Sequence, residues 1–160
     1  MATSKPTIII DAREQWAWEI TKIATVRGTL KTGDYSLAGF EDQVAIERKS
    51  LDDLVQTMIR DRERFERELE RLRPYRFKCI IIEADLRAVY HRDYRSTALP
   101  QSIVGLVLRC MMDYNIPVFF AATRGIAQDV AISFLKRAWN RLTMPERYGI
   151  IPIVKMETES

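Results

Sequence analysis

Glu47-Arg48-Lys49 follows directly on the apolar run Val44-Ala45-Ile46. The run has the character of a buried strand. Such a strand does not normally finish on three charges, because taking charge out of water is costly unless it is paired or bound to metal. The two-residue pleat sends Glu47 and Lys49 to one face and Ile46 and Arg48 to the other. A carboxylate beside an ammonium at a strand end, with Asp34 in an upstream turn, can build a metal-phosphate site. The carboxylates hold a divalent cation, and the lysine steadies a water or the charge developing on phosphate. Taken alone, the same tripeptide also suits a solvated strand end, so the flanking elements decide.

The β-branched run Thr7 to Ile10 predicts a first strand, and it too runs straight into charge, Asp11-Ala12-Arg13-Glu14. This is either a polar strand exit or a second contribution to the same cleft. Trp16 and Trp18 follow; aromatics here can stack on bases, but packing under the sheet is the expectation. Val26 to Leu30 predicts a short strand. Lys31 to Asp34 predicts a turn into Tyr35-Ser36-Leu37, and Gly39 to Asp42 a hairpin turn into the Val44 strand. That antiparallel pairing brings Asp34 toward Glu47. Ser50 is a natural N-cap with Asp53 three residues on, a capping pattern that gives Asp53 a structural role.

One helix is expected from Leu51 to about Arg73, with Leu51, Leu54, Val55, Met58, Phe65, Leu69 and Leu72 as its buried stripe. Arg62 falls on that stripe and needs a partner, a cleft carboxylate or a DNA phosphate. The opposite face, with Glu63, Arg67, Glu70 and Arg71, is solvated. Phe77 to Ile82 predicts a third core strand meeting an acid, Glu83. Asp85 to Ser96 is a loop or short helix whose Arg87, Arg92 and Arg95 are candidates for phosphate contact. Pro100 opens a helix, Val118 to Phe120 is the last strand, Arg124-Gly125 a loop, and Ala127 to Leu142 a closing helix. From Pro145 the chain is a tail with an apolar patch at Ile150 to Val154 that can dock on a partner. Interleaved strands and helices imply an α/β sandwich around a central mixed sheet.

At 160 residues the chain is expected to be one domain. No apolar run approaches the roughly 20 residues that span a bilayer, and the N-terminus lacks the apolar core of a signal peptide. The expected location is intracellular, away from membranes, in cytoplasm or nucleoid. Cys79 and Cys110 lie in apolar runs and are expected as buried free thiols. With a single histidine, His91, in a polar surface stretch, no zinc site is proposed. A net charge of +3, carried more by arginine than lysine, suits a phosphate partner without requiring one.

Gly33-Asp34, Glu47-Arg48-Lys49 and Asp53 together resemble the GD…ERKxxxD signature of the XPF family of structure-specific DNA endonucleases, a branch of the PD-(D/E)XK nucleases with a restriction-endonuclease-like fold. Asp11, Arg13 and Glu14 match the family's DxRE motif. The likeness continues through DRERFERELERL, the strand ending in Glu83, PQSIVGLVLR and IPVFFAATR, so it covers about Thr7 to Leu142. It implies a nuclease domain over residues 1–142 and a tail over 143–160. It implies hydrolysis of DNA phosphodiesters with Mg²⁺ or Mn²⁺, on branched or flap DNA in repair or recombination. The catalytic set carried over is Asp34, Glu47 and Lys49 with Asp11 and Glu14, of which Asp34, Glu47 and Asp11 are metal ligands. Arg13, Arg48, Asp53, Arg62 and Glu83 support them.

The chain resembles most the stand-alone nuclease domains of phage and prophage type, which implies the host cytoplasm for a phage-encoded chain. The stretch after Leu142 is too short for the tandem helix-hairpin-helix module common in the family, which implies a DNA-targeting protein partner. A homodimer through the nuclease domain is also implied. Two other classes stand beside this reading. A non-catalytic DNA-binding or scaffold subunit is one; the intact Asp34, Glu47 and Lys49 speak against it. An enzyme acting on RNA or a nucleotide is the other; no glycine-rich phosphate loop supports it.

Overall fold

The computed structural model describes residues 5–150. Its centre is a six-stranded sheet in the order β2-β1-β3-β4-β5-β6. The strands are β1 (Thr7–Asp11), β2 (Ala24–Gly28), β3 (Tyr35–Leu37), β4 (Val44–Lys49), β5 (Phe77–Ile82) and β6 (Val118–Phe120). β3 runs antiparallel to both β1 and β4, and the remaining neighbours pair in parallel. Every strand except β3 therefore points the same way. The charged exits of β1, β4 and β5 gather at one edge of the sheet, the carboxyl edge where open α/β sheets place their ligand sites.

Pleating sorts the strand residues into two cores. Ala45, Ile80 and Ile82 face α1 (Leu51–Ile59), α2 (Arg62–Leu72), α3 (Leu86–Tyr90) and α4 (Pro100–Met112). Ile8, Ile10, Tyr35, Val44, Ile46 and Ile81 face the small-residue stripe Ala127, Ala131, Leu135 and Ala138 of α5 (Arg124–Thr143), together with Trp18. The expected mixed sheet flanked by helices is what forms. Cys79 and Cys110 are buried free thiols, one in each core. No helix among the described residues is long and apolar enough to cross a membrane.

Three local expectations are corrected. The single helix over 51–73 is two, broken at Arg60-Asp61, where Asp61 leaves the helical region (φ −122°, ψ 27°). A straight helix would have carried Arg62 into the apolar stripe. The break makes it the first residue of α2, exposed and paired with Glu66 at 3.4 Å. Arg124 and Gly125 are not a loop but the first turn of α5, because Thr123 caps that helix by accepting from the Ile126 N–H. The second strand is Ala24–Gly28, an exposed edge, while Leu30 turns inward and donates its N–H to Asp11 Oδ2 at 2.8 Å. The start of the tail is a 3₁₀ turn, Pro145–Tyr148; of the apolar patch expected there, residues 151–154 lie outside the described residues.

Candidate active site

The β3–β4 hairpin and the end of β1 converge on Asp34. Its N–H donates to the Ile46 carbonyl (2.8 Å), its carbonyl accepts from the Asp11 N–H (2.8 Å), and its Oδ2 accepts from the Arg48 N–H (2.8 Å). Gly33 makes this crossing possible. It sits at φ +80°, and a Cβ there would lie 3.0 Å from the Ile46 carbonyl oxygen. The glycine of the Gly33-Asp34 pair is thus required by the backbone, and the aspartate is fixed by three hydrogen bonds.

Glu47 and Lys49 share the face turned toward α1 and α2, as the pleat requires. Lys49 is buried, with its Nζ 3.8 Å from Glu47 Oε1, 3.9 Å from Glu68 Oε2 and 4.9 Å from the centre of the Phe65 ring. Arg48 leaves by the opposite face. Its guanidinium holds both oxygens of Glu83 and, at 3.2 Å, Glu14 Oε1. Glu83 also accepts from Trp18 Nε1 at 2.8 Å and lies 3.8 Å from Arg124 Nη1. Trp18 completes the layer by stacking on Tyr35 with ring centres 4.5 Å apart.

Asp11 is fully engaged. Arg13 donates to it through its backbone N–H, Nε and Nη2, and Leu30 through its N–H. Both oxygens accept twice, so all four lone-pair positions of the carboxylate are spent. The Arg13 bonds outweigh burial and hold this carboxyl down at about 2.

The acids therefore divide by environment. Against the upward push of burial, the hydrogen bonds from Arg48 and Trp18 keep Glu83 below its ordinary range. Asp34 and Glu47 go the other way. Burial raises Asp34, the charge of Glu14 adds to it, and the Arg48 N–H only partly offsets them. Burial raises Glu47, and the charge of Asp34 raises it further against the pull of Lys49. Both are half-buried, and the one cationic side chain within salt-bridge distance of either among the described residues is Lys49, beside Glu47.

A cleft opens over them in two adjoining lobes of about 280 and 390 Å³, both bounded by Arg13, Glu14, Asp34, Glu47, Arg64 and Glu68. Among the described residues no cluster of three metal-ligating side chains converges. Two carboxylates nevertheless fit Mg²⁺, which keeps several of its own waters and takes further oxygens from a bound phosphate. The same hard-oxygen set suits Mn²⁺.

The structure brings Asp34, Glu47, Lys49, Glu14, Arg13 and Asp53 to this cleft. Asp53 also lies in the first turn of α1, which Ser50 caps by accepting from the Asp53 N–H at 3.1 Å. Asp11 lies at the wall, occupied by Arg13. Arg48 and Glu83 form the ion network behind the floor. Arg62, Arg87, Arg92 and Arg95 line neither lobe. Arg87 is exposed beside Asp85 at 3.6 Å, and Arg95 docks on the start of α1 through its N–H to Asp52 Oδ1 at 3.1 Å. The residue that sequence reasoning missed is Glu68. Its one signal was position: it directly precedes Leu69 at the edge of the stripe, where a side chain is half-covered rather than solvated.

The model of a protein family described as the ERCC4 domain matches residues 10–130. A Methanocaldococcus jannaschii protein named as an ATP-dependent RNA helicase is 27% identical over 146 residues, which are 89% of this chain and 17% of that protein. XPF from Aeropyrum pernix is similar in structure, with a TM-score of 0.65 both in complex with DNA and without it. The complex shows 20% identity and covers 84% of this chain and 65% of the other. The DNA-free structure shows 22% identity, covering 97% and 69%.

Proposed function

The chain belongs to the ERCC4-domain family of XPF-type nucleases, and from that premise we propose that it is a divalent-metal-dependent DNA endonuclease acting on branched or flap DNA. The observation that carries this reading is the pair of arginine-free carboxyls, Asp34 and Glu47, raised by burial beside a buried lysine. Asp34 and Glu47 would hold Mg²⁺ or Mn²⁺. When bound, the ion supplies Lewis-acid activation of the phosphate and lowers the pKa of a coordinated water.

The protein's own groups do the rest. Lys49 is fixed by Glu47, Glu68 and the Phe65 ring, so its ammonium has one place to act. At about 4 Å, and with an effective dielectric near 20, it attracts an extra negative charge on phosphate by about 4 kcal/mol. Expressed only in the transition state, that is worth up to about a thousandfold in rate. Arg48 positions rather than reacts, its N–H holding Asp34 and its side chain tying Glu14 to Glu83. Arg13 and Arg64 at the rim offer charge to the phosphate backbone.

Two partners belong to the same proposal. The chain pairs with a second copy through the outer face of α4, where Leu108, Met111 and Met112 leave an apolar surface exposed. A separate DNA-targeting protein directs it to its junction.

The test is cleavage of labelled single-stranded, duplex, flap and fork DNA, and of an RNA control, with Mg²⁺ or EDTA, for wild type and Glu47→Ala. Metal-dependent DNA cleavage that disappears in a folded Glu47→Ala supports the proposal. A folded wild type that cuts no DNA with either metal overturns stand-alone catalysis and leaves a DNA-binding subunit. Cleavage of RNA in preference to DNA overturns the substrate assignment.

A further inference from the structure

Trp16 and Trp18 are two residues apart and have opposite surroundings. Trp18 is 2% exposed and Trp16 74%. Trp16 borders the larger lobe of the cleft, in the company of Arg13 and Arg64, whose side chains are 74% and 71% exposed. An indole left in water at the rim of a site forfeits the burial its neighbour gains, so packing does not account for it.

Its loop is nonetheless pinned. The Trp16 N–H donates to Glu14 Oε1 at 3.2 Å, and Glu14 is itself gripped by Arg48. Arg124 Nη2 donates to the Trp16 carbonyl at 2.8 Å and to the Ala17 carbonyl at 2.6 Å. Gln128 Nε2 donates to the Glu19 carbonyl at 2.8 Å, and the buried Trp18 anchors the centre. The backbone around Trp16 is fixed from α5, β4 and β3 while the side chain stays exposed.

We propose that Trp16 is a stacking platform for an unpaired DNA base next to the scissile phosphate. The inference deepens the nuclease reading and rests on it. Three features carry it. Trp16 borders the same lobe as the acidic floor that would hold the metal. Exposed arginines line that lobe too, available to the phosphates that flank the base. The loop is ordered in advance, so stacking does not have to bear the cost of immobilising it. In a duplex both faces of a base are covered by its neighbours, so the indole gains only on a base that is single-stranded, frayed or at a branch. Stacking accepts any base. The residue thus selects DNA by its pairing state and not by its sequence.

The test separates stacking from cleavage by working in EDTA. Anisotropy of a labelled single strand and of its duplex is measured with wild type, Trp16→Ala and Trp16→Phe, and a strand carrying 2-aminopurine at successive positions reports stacking by quenching. Loss of one base–aromatic stack is expected to weaken single-strand binding by about tenfold in Trp16→Ala, with duplex binding unchanged. Trp16→Phe is expected to recover most of the loss, and the quenching at one 2-aminopurine position disappears in Trp16→Ala. The proposal is overturned if Trp16→Ala, melting like wild type, binds the single strand as wild type does. It is equally overturned if single strand and duplex weaken together. A wild type that binds and cuts no DNA overturns the nuclease reading along with it, a result seen before any variant is compared.

Discussion

Asp11 and Glu83 each accept from an arginine side chain, whereas among the described residues Asp34 and Glu47 meet no arginine side chain within salt-bridge distance. The first two are settled anions that hold structure; the second two lie closer to protonation. This has a direct consequence for stability. A carboxyl raised in the folded state binds more protons folded than unfolded, so the metal-free protein loses stability as pH climbs out of the ordinary carboxylate range through the raised value. Glu47→Gln is therefore expected to melt like wild type near pH 4 and about 3 °C or more higher near pH 9 without metal. Excess Mg²⁺ is expected to raise the wild-type melting temperature and leave that of Glu47→Gln unmoved. Equal melting of the two proteins at high pH would count against the raised Glu47. Gly33 gives a second prediction. Alanine at φ +80° costs about 1–2 kcal/mol, on the order of 5 °C in melting temperature, and it displaces Asp34, so half-saturation by Mg²⁺ rises in cleavage assays of Gly33→Ala. At this scale much was legible in the sequence. Alternation alone put Glu47 and Lys49 together and sent Arg48 away. What alternation cannot reveal is whose oxygens are already occupied, which is why Asp11 read as a ligand and lies saturated by Arg13.

The helices after β4 show how an element places a side chain that periodicity overlooks. The apolar stripe from Leu51 to Leu72 reads as one continuous helix because Met58 and Phe65 are seven residues apart, two full turns. The break at Arg60-Asp61 preserves that stripe while freeing Arg62, and it sets α2 over Lys49 so that Phe65 covers the ammonium and Glu68 flanks it. A hydropathy pattern records which residues are covered, but not that a helix has stopped and restarted. Glu68→Gln is expected to lower the DNA cleavage rate by about ten- to a hundredfold, the usual cost of losing an orienting partner, with Mg²⁺ half-saturation and DNA affinity near wild type. A large fall in metal affinity instead would make Glu68 a ligand. Arg124-Gly125 teaches the same lesson at the other end of the chain. The glycine suggested a loop, but the first turn of a helix lacks internal partners for its N–H groups in any case, and Thr123 supplies one.

For the molecule as a whole, the mixed sheet and the order of its helices followed from interleaved apolar runs, and the carboxyl edge followed from acids at three strand exits. The ion network behind the sheet did not, because it joins residues from β1 to α5 that no local pattern connects. The exposed apolar face of α4 belongs to this scale too. Leu108→Glu with Met112→Glu is expected to turn a dimer into a monomer in sedimentation velocity with the melting temperature within a few degrees of wild type; a wild type that sediments as a monomer at micromolar concentration would argue against pairing through this face. The reach of Arg124 has a last implication. It grips the carbonyls of Trp16 and Ala17, more than a hundred residues earlier, and touches Glu83. A ribosome releases Asp34, Glu47 and Lys49 early and Arg124 late, an interval of roughly several seconds at ordinary rates of synthesis. During that time the nascent chain carries these side chains without the clasp that shapes the mouth of the cleft. A message cut short before Arg124 yields a chain of the same kind, its Trp16 loop unheld from α5.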